Sequence, residues 1–241
     1  MTTILTLEPL GGNLFPGGTM KLNFGGAGLP SNAWEGNITR AWLGQPSGTA
    51  VKRVKHPADL SHFSITDGVV ALDRMIKATA GNVLIVAHSQ GAQVASRWMR
   101  TLATDSGAPS TSRVRFLLFG NPLRKYGGFG VGNKECDGTT GQATPTSPWT
   151  VTDYKLQYDG WADNPTRSGM WAVANAVRDR YGINGNRAIH ALGYHTANLA
   201  HPQLKTFAEG TTTFAMAPHA PLLAVPRSWI ERSYTRPETS E

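Results

Sequence analysis

The run Val83-Leu84-Ile85-Val86-Ala87 ends abruptly in His88-Ser89-Gln90-Gly91-Ala92. An unbroken apolar, largely β-branched stretch is the pattern of a strand covered on both faces, as in a parallel sheet lying between helices. Gly91–Leu102 follows at once and carries Ala92, Ala95, Met99 and Leu102 on one helical stripe. A buried strand that passes into a helix within a few residues leaves the intervening residue on a tight turn. Ser89 occupies that turn. The layout is that of a nucleophile elbow, with Ala87 standing where the motif has its first glycine.

The remaining chain supports the same architecture. Thr66–Thr79 has helix spacing, with Val69, Val70, Leu72, Met75 and Ile76. Arg113–Phe119 reads as a strand ending at Gly120-Asn121-Pro122, and Val151–Tyr158 as another ending at Asp159-Gly160. Ser168–Tyr181 reads as a helix with Trp171, Ala174, Val177 and Tyr181 near one face. Met20–Phe24 alternates as a strand and enters the turn Gly25-Gly26-Ala27-Gly28, and Tyr126–Pro148 is loop-like. Residues 1–18 are expected to form an extended N-terminal segment, and 211–241 a tail wrapping the surface. Strands alternating with helices predict a single α/β domain over 1–241, with a mainly parallel central sheet flanked by helices.

A serine on such a turn has its hydroxyl lifted out of the sheet, beside the positive N-terminal end of a helix. As a nucleophile it needs a base, and the base needs an acid to fix its tautomer. In this fold class the chain order is serine, then acid, then histidine. Asp159 and Asp163 both follow a strand end. Asp159 precedes a glycine and suits an Asx turn, whereas Asp163 lies deeper in the loop, within reach of a histidine. His190, in the apolar setting Ala188-Ile189-His190-Ala191-Leu192, ranks above His195, and both rank above His201 and His219. His88 reads as structural. The oxyanion donors expected are the N–H of Gln90 and one from the 25–28 loop, at Gly26 or Ala27.

Composition bounds the alternatives. With 241 residues, 40% hydrophobic and 16% charged, the chain is globular and long enough for a sizeable core. Its formal net charge of +7 suits an anionic surface. The basic residues are scattered, however, and no nucleic-acid motif is present. The single cysteine, Cys136, allows no intrachain disulfide and reads as a bystander thiol. No apolar run reaches the length of a membrane span, and no secretory signal is apparent. The sequence has no H-E-x-x-H, no paired cysteines and no G-K-[ST] after the glycine-rich loop, so no metal or cofactor is expected.

The stretches Ala87-His88-Ser89-Gln90-Gly91-Ala92, Phe119-Gly120-Asn121-Pro122-Leu123-Arg124 and Asp153-Tyr154 through Asp159-Gly160-Trp161-Ala162-Asp163 resemble two related groups. These are the mycobacteriophage lysin B esterases and the PE-PPE-type serine hydrolase domain of mycobacteria, both cutinase-like α/β-hydrolases. Thr213-Phe214-Ala215-Met216-Ala217-Pro218 with Pro221-Leu222-Leu223 is similar to the end of the PE-PPE-type domain. The resemblance covers roughly residues 20 to 235 and implies a Ser-Asp-His triad. It places the nucleophile at Ser89, favours Asp163 over Asp159, and favours His190, with Tyr194 nearby, over His195. The implied substrate is a lipid ester of the mycobacterial envelope, of mycolyl type in the lysin B group. Trp98, Trp161 and Trp171 are candidates for an acyl groove. A phage protein of this kind would be made in the host cytoplasm without a signal peptide and act at the envelope after release. The alternative is a virion or tail protein with a hydrolase-like domain, its N-terminal segment and proline-rich tail docking onto other virion proteins.

Overall fold

A computed structural model describes residues 2–7, 50–57, 62–103, 105–181, 189–196 and 198–239. The strand Met20–Phe24 and the turn at 25–28 expected from the sequence lie outside them. The described strands are β1 (Thr2–Leu7), β2 (Val51–Arg53), β3 (Asn82–His88), β4 (Val114–Phe119), β5 (Thr150–Leu156), β6 (Lys205–Glu209) and β7 (Thr212–Ala217). They form one sheet in the order β2-β1-β3-β4-β5-β7-β6. Every neighbouring pair is parallel except β6 with β7, which form an antiparallel hairpin at one edge.

The helices are α1 (Ser64–Ala78), α2 (Gln90–Leu102), α3 (Met170–Tyr181), the one-turn α4 (Ile189–Leu192) and α5 (Arg227–Glu231). The two-residue period of the strands divides the core. Val83, Ile85 and Ala87 of β3 point to a layer built with Leu72 and Ile76 of α1 and Val94, Trp98 and Met99 of α2. Leu84 and Val86 point to the opposite layer, with Ala172 of α3, Ile189 of α4 and Ile230 of α5. This is why β3 reads as continuously apolar: both of its faces are covered. Each large side chain fully buried in these layers contributes about 1.5–3 kcal/mol. Ala87 fits its place as a buried residue of the first layer.

Two expectations need correcting. Thr2–Leu7, the start of the segment read as an N-terminal lead-in, is an interior strand with Leu5 and Leu7 fully buried between β2 and β3. Thr212–Ala217, read as surface tail, is likewise an interior strand, between β5 and β6. The turn at Gly210, with φ of 58°, folds the chain back and buries Phe214 and Met216. Neither stretch as a whole is a peripheral arm. The helix over Met170–Tyr181 also turns a different face inward: Ala172, Asn175, Ala176 and Asp179 are buried, while Trp171 and Tyr181 are exposed.

Candidate active site

The parallel strands end on one side of the sheet, and the chemistry gathers there. Ser89 follows β3 with φ 55° and ψ −120°, a left-handed conformation costly for a residue with a side chain. Its N–H still donates to the Phe119 carbonyl of β4 at 3.0 Å, while its own carbonyl accepts from Ala92 at 2.9 Å, the first turn of α2. Ser89 is thus the N-cap residue of α2, yet its hydroxyl makes no capping hydrogen bond. It is turned instead toward His190, with Oγ 2.8 Å from Nε2. The first turn of α2 carries no acidic side chain to offset the helix dipole. Gln90, its first residue, accepts from the Ser64 hydroxyl at 2.9 Å through its side-chain oxygen.

His190 stands on α4 and is buried. Its Nδ1 lies 3.0 Å from each carboxylate oxygen of Asp159. Its backbone carbonyl meets His88 Nε2 at 3.0 Å, so His88 supports the segment that carries His190. Asp159 follows β5 directly. The residue before it, Tyr158, is left-handed at φ 70°, which turns the chain at the strand end. Asp159 Oδ1 accepts the N–H of Trp161 at 2.8 Å and of Ala162 at 3.2 Å. The Asx turn and the contact with histidine, weighed as alternatives in the sequence, therefore coexist on one carboxylate. Tyr194 donates its hydroxyl to Asp159 Oδ2 at 2.5 Å and accepts the Leu156 N–H at 3.1 Å.

The electrostatics are consistent with this order. Burial works against the charge on Asp159, but His190 and the hydrogen bonds it receives outweigh burial and hold it below the usual carboxylate range. Burial likewise works against the imidazolium of His190, and the Asp159 carboxylate outweighs it and raises the ring above its ordinary value. An ionised Asp159 accepts from Nδ1–H, which leaves Nε2 as the acceptor for the Ser89 hydroxyl. Burial, followed by the Asp159 charge, pushes the Tyr194 phenol well up, so it stays a donor.

Asp163, the acid favoured from the sequence, is placed elsewhere. Its carboxylate accepts from Arg236 Nη2 at 2.6 Å, Lys155 Nζ at 2.9 Å and the Tyr158 N–H at 2.7 Å. Burial opposes its charge, but Lys155 and Arg236 overcome that and hold it well below the usual range. Arg236 comes from the far end of the chain, so no local spacing announces it. Of the other histidines, His201 accepts the Gln203 N–H at 3.1 Å and His219 Nδ1 lies 2.8 Å from the Ala220 carbonyl. The side chain of His195 lies outside the described residues, as do Gly26 and Ala27 whole. Trp98 is core, packed on Phe116 and Trp149, and Trp171 is a surface neighbour of Trp229. Trp161 alone of the three tryptophans approaches the site, its ring 5.9 Å from that of His190.

The sequence reading missed Asp179. It accepts the N–H groups of Gly160 at 2.7 Å and of His190 at 3.2 Å. The available signal was its position in α3: Ala172, Ala176 and Asp179 fall on one stripe, so a carboxylate sits among small buried residues. A cleft of about 870 Å³ is lined by Gln157, Leu204, Met216, Pro218 and Tyr234 among others, and not by Ser89, Asp159 or His190. Among the described residues no His, Cys, Asp and Glu side chains are grouped to hold a metal, and no helix is long and apolar enough to cross a membrane. Cys136 is a half-buried free thiol, pushed up by burial.

A mostly parallel sheet flanked by helices, with a left-handed serine between β3 and the helix that follows it, defines the α/β-hydrolase fold. The PE-PPE domain profile matches residues 38–228, and the chain belongs to that family. It is 37% identical over 132 residues to Esterase PE16 of Mycobacterium tuberculosis, covering 52% of this chain and 23% of that protein. It is 38% identical over 138 residues to PE family protein PE3 of the same organism, covering 53% and 28%. The matched stretch is therefore under a third of the length of either relative. A solved structure, described as a novel cutinase-like protein from Cryptococcus sp., superposes with a TM-score of 0.44 at 19% identity, over 68% of this chain and 79% of that one.

Proposed function

We propose that the protein is a serine hydrolase that cleaves carboxylic esters through Ser89, His190 and Asp159. The observation that carries this reading is the unbroken contact from Ser89 Oγ to Nε2 of His190 at 2.8 Å and from Nδ1 to Asp159 at 3.0 Å. Ser89 Oγ attacks the ester carbonyl carbon while His190 Nε2 takes its proton. The tetrahedral intermediate expels the alcohol, which receives that proton. A water deprotonated by His190 then releases the acid and restores the serine. Asp159 stays ionised, fixes the tautomer and stabilises the imidazolium. The Gln90 N–H, at the N-terminus of α2, is the first oxyanion donor, and Gly26 or Ala27 remains the sequence-based candidate for the second. This chemistry requires no metal or cofactor.

The name of the relative Esterase PE16 supports the reaction class. The finer part of the proposal is the substrate, a lipid ester of the mycobacterial envelope. It rests on the sequence resemblance to the lysin B esterases and on a net charge of +7 suited to an anionic surface. Labelling with a fluorophosphonate followed by peptide mapping tests the reaction class. One adduct on Ser89 is expected. Ser89→Ala should lose it, together with a ~10⁴-fold or greater share of p-nitrophenyl ester turnover. Folded protein that takes no label would overturn the reading. Release of free mycolic acid from purified mycolyl-arabinogalactan tests the substrate.

A further inference from the structure

Asp179 is a buried carboxyl group that the acyl-transfer scheme leaves without a task. Its Oδ2 accepts the Gly160 N–H at 2.7 Å, and both of its oxygens face the His190 N–H, at 3.2 and 3.3 Å. Gly160 is the residue after Asp159. One side chain of α3 therefore binds the main chain of His190 and of the residue next to Asp159, and the side chains of His190 and Asp159 meet at 3.0 Å. Arg180, the next residue on α3, donates to the Gly160 carbonyl at 2.8 Å, so Gly160 is held through its N–H and its carbonyl alike. The turn is also pressed against the helix: a Cβ on Gly160 would stand 2.3 Å from the Ala176 carbonyl oxygen. Nothing but glycine fits that gap without moving α3 away.

We propose that Asp179 is a positioning residue, clamping the turn that carries Asp159 to the helix that carries His190 so that acid and base stay in register. The proposal rests on the serine-hydrolase reading above. The clamp also bears on pH. Among the described residues, the titratable and charged groups that act on Asp179 are Asp159 and His190 from the segments it holds and Arg180 from its own helix. Burial first, and then the Asp159 charge, push Asp179 up to about 7, so its charge changes near neutrality. Its carboxylate, when ionised, helps to hold the His190 imidazolium above its ordinary value. Removing that charge therefore lowers the pH at which the base becomes free.

The test compares wild type, Asp179→Ala and Asp179→Asn. Circular dichroism verifies folding, fluorophosphonate adducts on Ser89 count competent sites, and kcat and KM for p-nitrophenyl butyrate are measured across pH. In Asp179→Ala, kcat per labelled site should fall by about 10–100-fold with KM little changed, as expected when reacting groups lose register. Asp179→Asn keeps a carbonyl oxygen for the Gly160 N–H and should recover most of the rate. The acid limb of its kcat/KM profile should move to lower pH. Unchanged kcat per labelled site in Asp179→Ala overturns the clamp, as does an acid limb in Asp179→Asn that coincides with wild type. If Asp179→Ala does not fold, the pH profile of Asp179→Asn decides alone. Wild type that labels normally beside variants that behave like it sinks only this proposal. Wild type that does not label at Ser89 sinks the hydrolase reading and this one with it.

Discussion

Asp159 and Asp163 sit on one loop, both buried, and their surroundings give them different partners. Asp159 faces a titratable partner, His190, and tyrosine and backbone donors; Asp163 faces the permanent cation Arg236 and Lys155. Asp159→Asn should therefore lower kcat by ~10⁴-fold with the fold intact, because the histidine loses the partner that fixes its tautomer. Asp163→Asn should cost about 3–5 kcal/mol in urea unfolding, because buried cations lose their counter-charge. Its turnover per fluorophosphonate-labelled site should hold. The reverse pattern would make Asp163 the acid. Rate and stability also respond differently to pH. His190 must be neutral to accept a proton, so kcat/KM should rise with pH, with a midpoint above the ordinary 6.5 because Asp159 raises the ring. For stability the sign is opposite. A raised folded-state value means that the folded state holds its proton more tightly, so the contribution is complete below the unfolded value and lost as pH rises through the folded one. His190 acts this way above 6.5, and Asp179 between 3.8 and about 7. The urea midpoint should accordingly fall from mildly acidic to mildly alkaline pH, and Asp179→Asn should flatten part of that slope.

At the scale of elements, the site depends on how closely α2 approaches β1. A Cβ on Gly91 would lie 2.1 Å from the Leu7 carbonyl oxygen, a backbone atom that cannot swing aside. Gly91→Ala should thus push the first turn of α2 off the sheet and tilt the serine turn. Expected are a loss of about 1–3 kcal/mol in denaturant unfolding and a fall in fluorophosphonate labelling rate at Ser89. Wild-type labelling kinetics in that variant would show that the approach is not needed. The elements themselves were legible in the sequence wherever one periodicity dominated. β3 and β4 have unbroken apolar ends, and α1 and α2 have wide apolar stripes. In α3 the large residues Trp171 and Tyr181 drew the reading to the wrong face. The small residues Ala172 and Ala176 face inward instead, and at Ala176 the helix backbone meets the turn at Gly160 too closely for bulk. β1 and β7 were not distinguished as core strands, since Gly and Pro near them suggested periphery and burial depends on partners distant in sequence.

At the scale of the whole molecule, the chain's last described residues close its interior. Arg124 is fully buried and pairs with Asp153 at 2.8 Å and with Glu238; Lys155, equally buried, lies 2.9 Å from Asp163 and 3.5 Å from Glu238. Arg236 completes the cluster on Asp163 and also reaches Glu231. Deleting the chain from Arg236 onward strips Glu238 from Arg124 and Lys155, and Arg236 from Asp163. Removing one partner of a buried pair costs about 3–5 kcal/mol, a large share of a domain's net stability. The truncated protein should therefore be insoluble or unfold at far lower urea, as size-exclusion chromatography and a denaturation curve would report. A soluble truncation with a wild-type curve would mean that these pairs contribute little.

The sequence by itself determined the class of sheet and the place of Ser89, because both follow from local patterns: an apolar run, a turn and a helix within twenty residues of one another. It also narrowed the candidates for acid and base to Asp159 or Asp163 and His190 or His195. Tertiary structure decided which carboxylate meets the histidine, since that depends on Arg236 and Lys155 claiming Asp163 and on Tyr194 and His190 claiming Asp159. Charges select their partners by distance in space, over a few ångströms and in a medium that screens them poorly, and spacing along the chain carries little of that information.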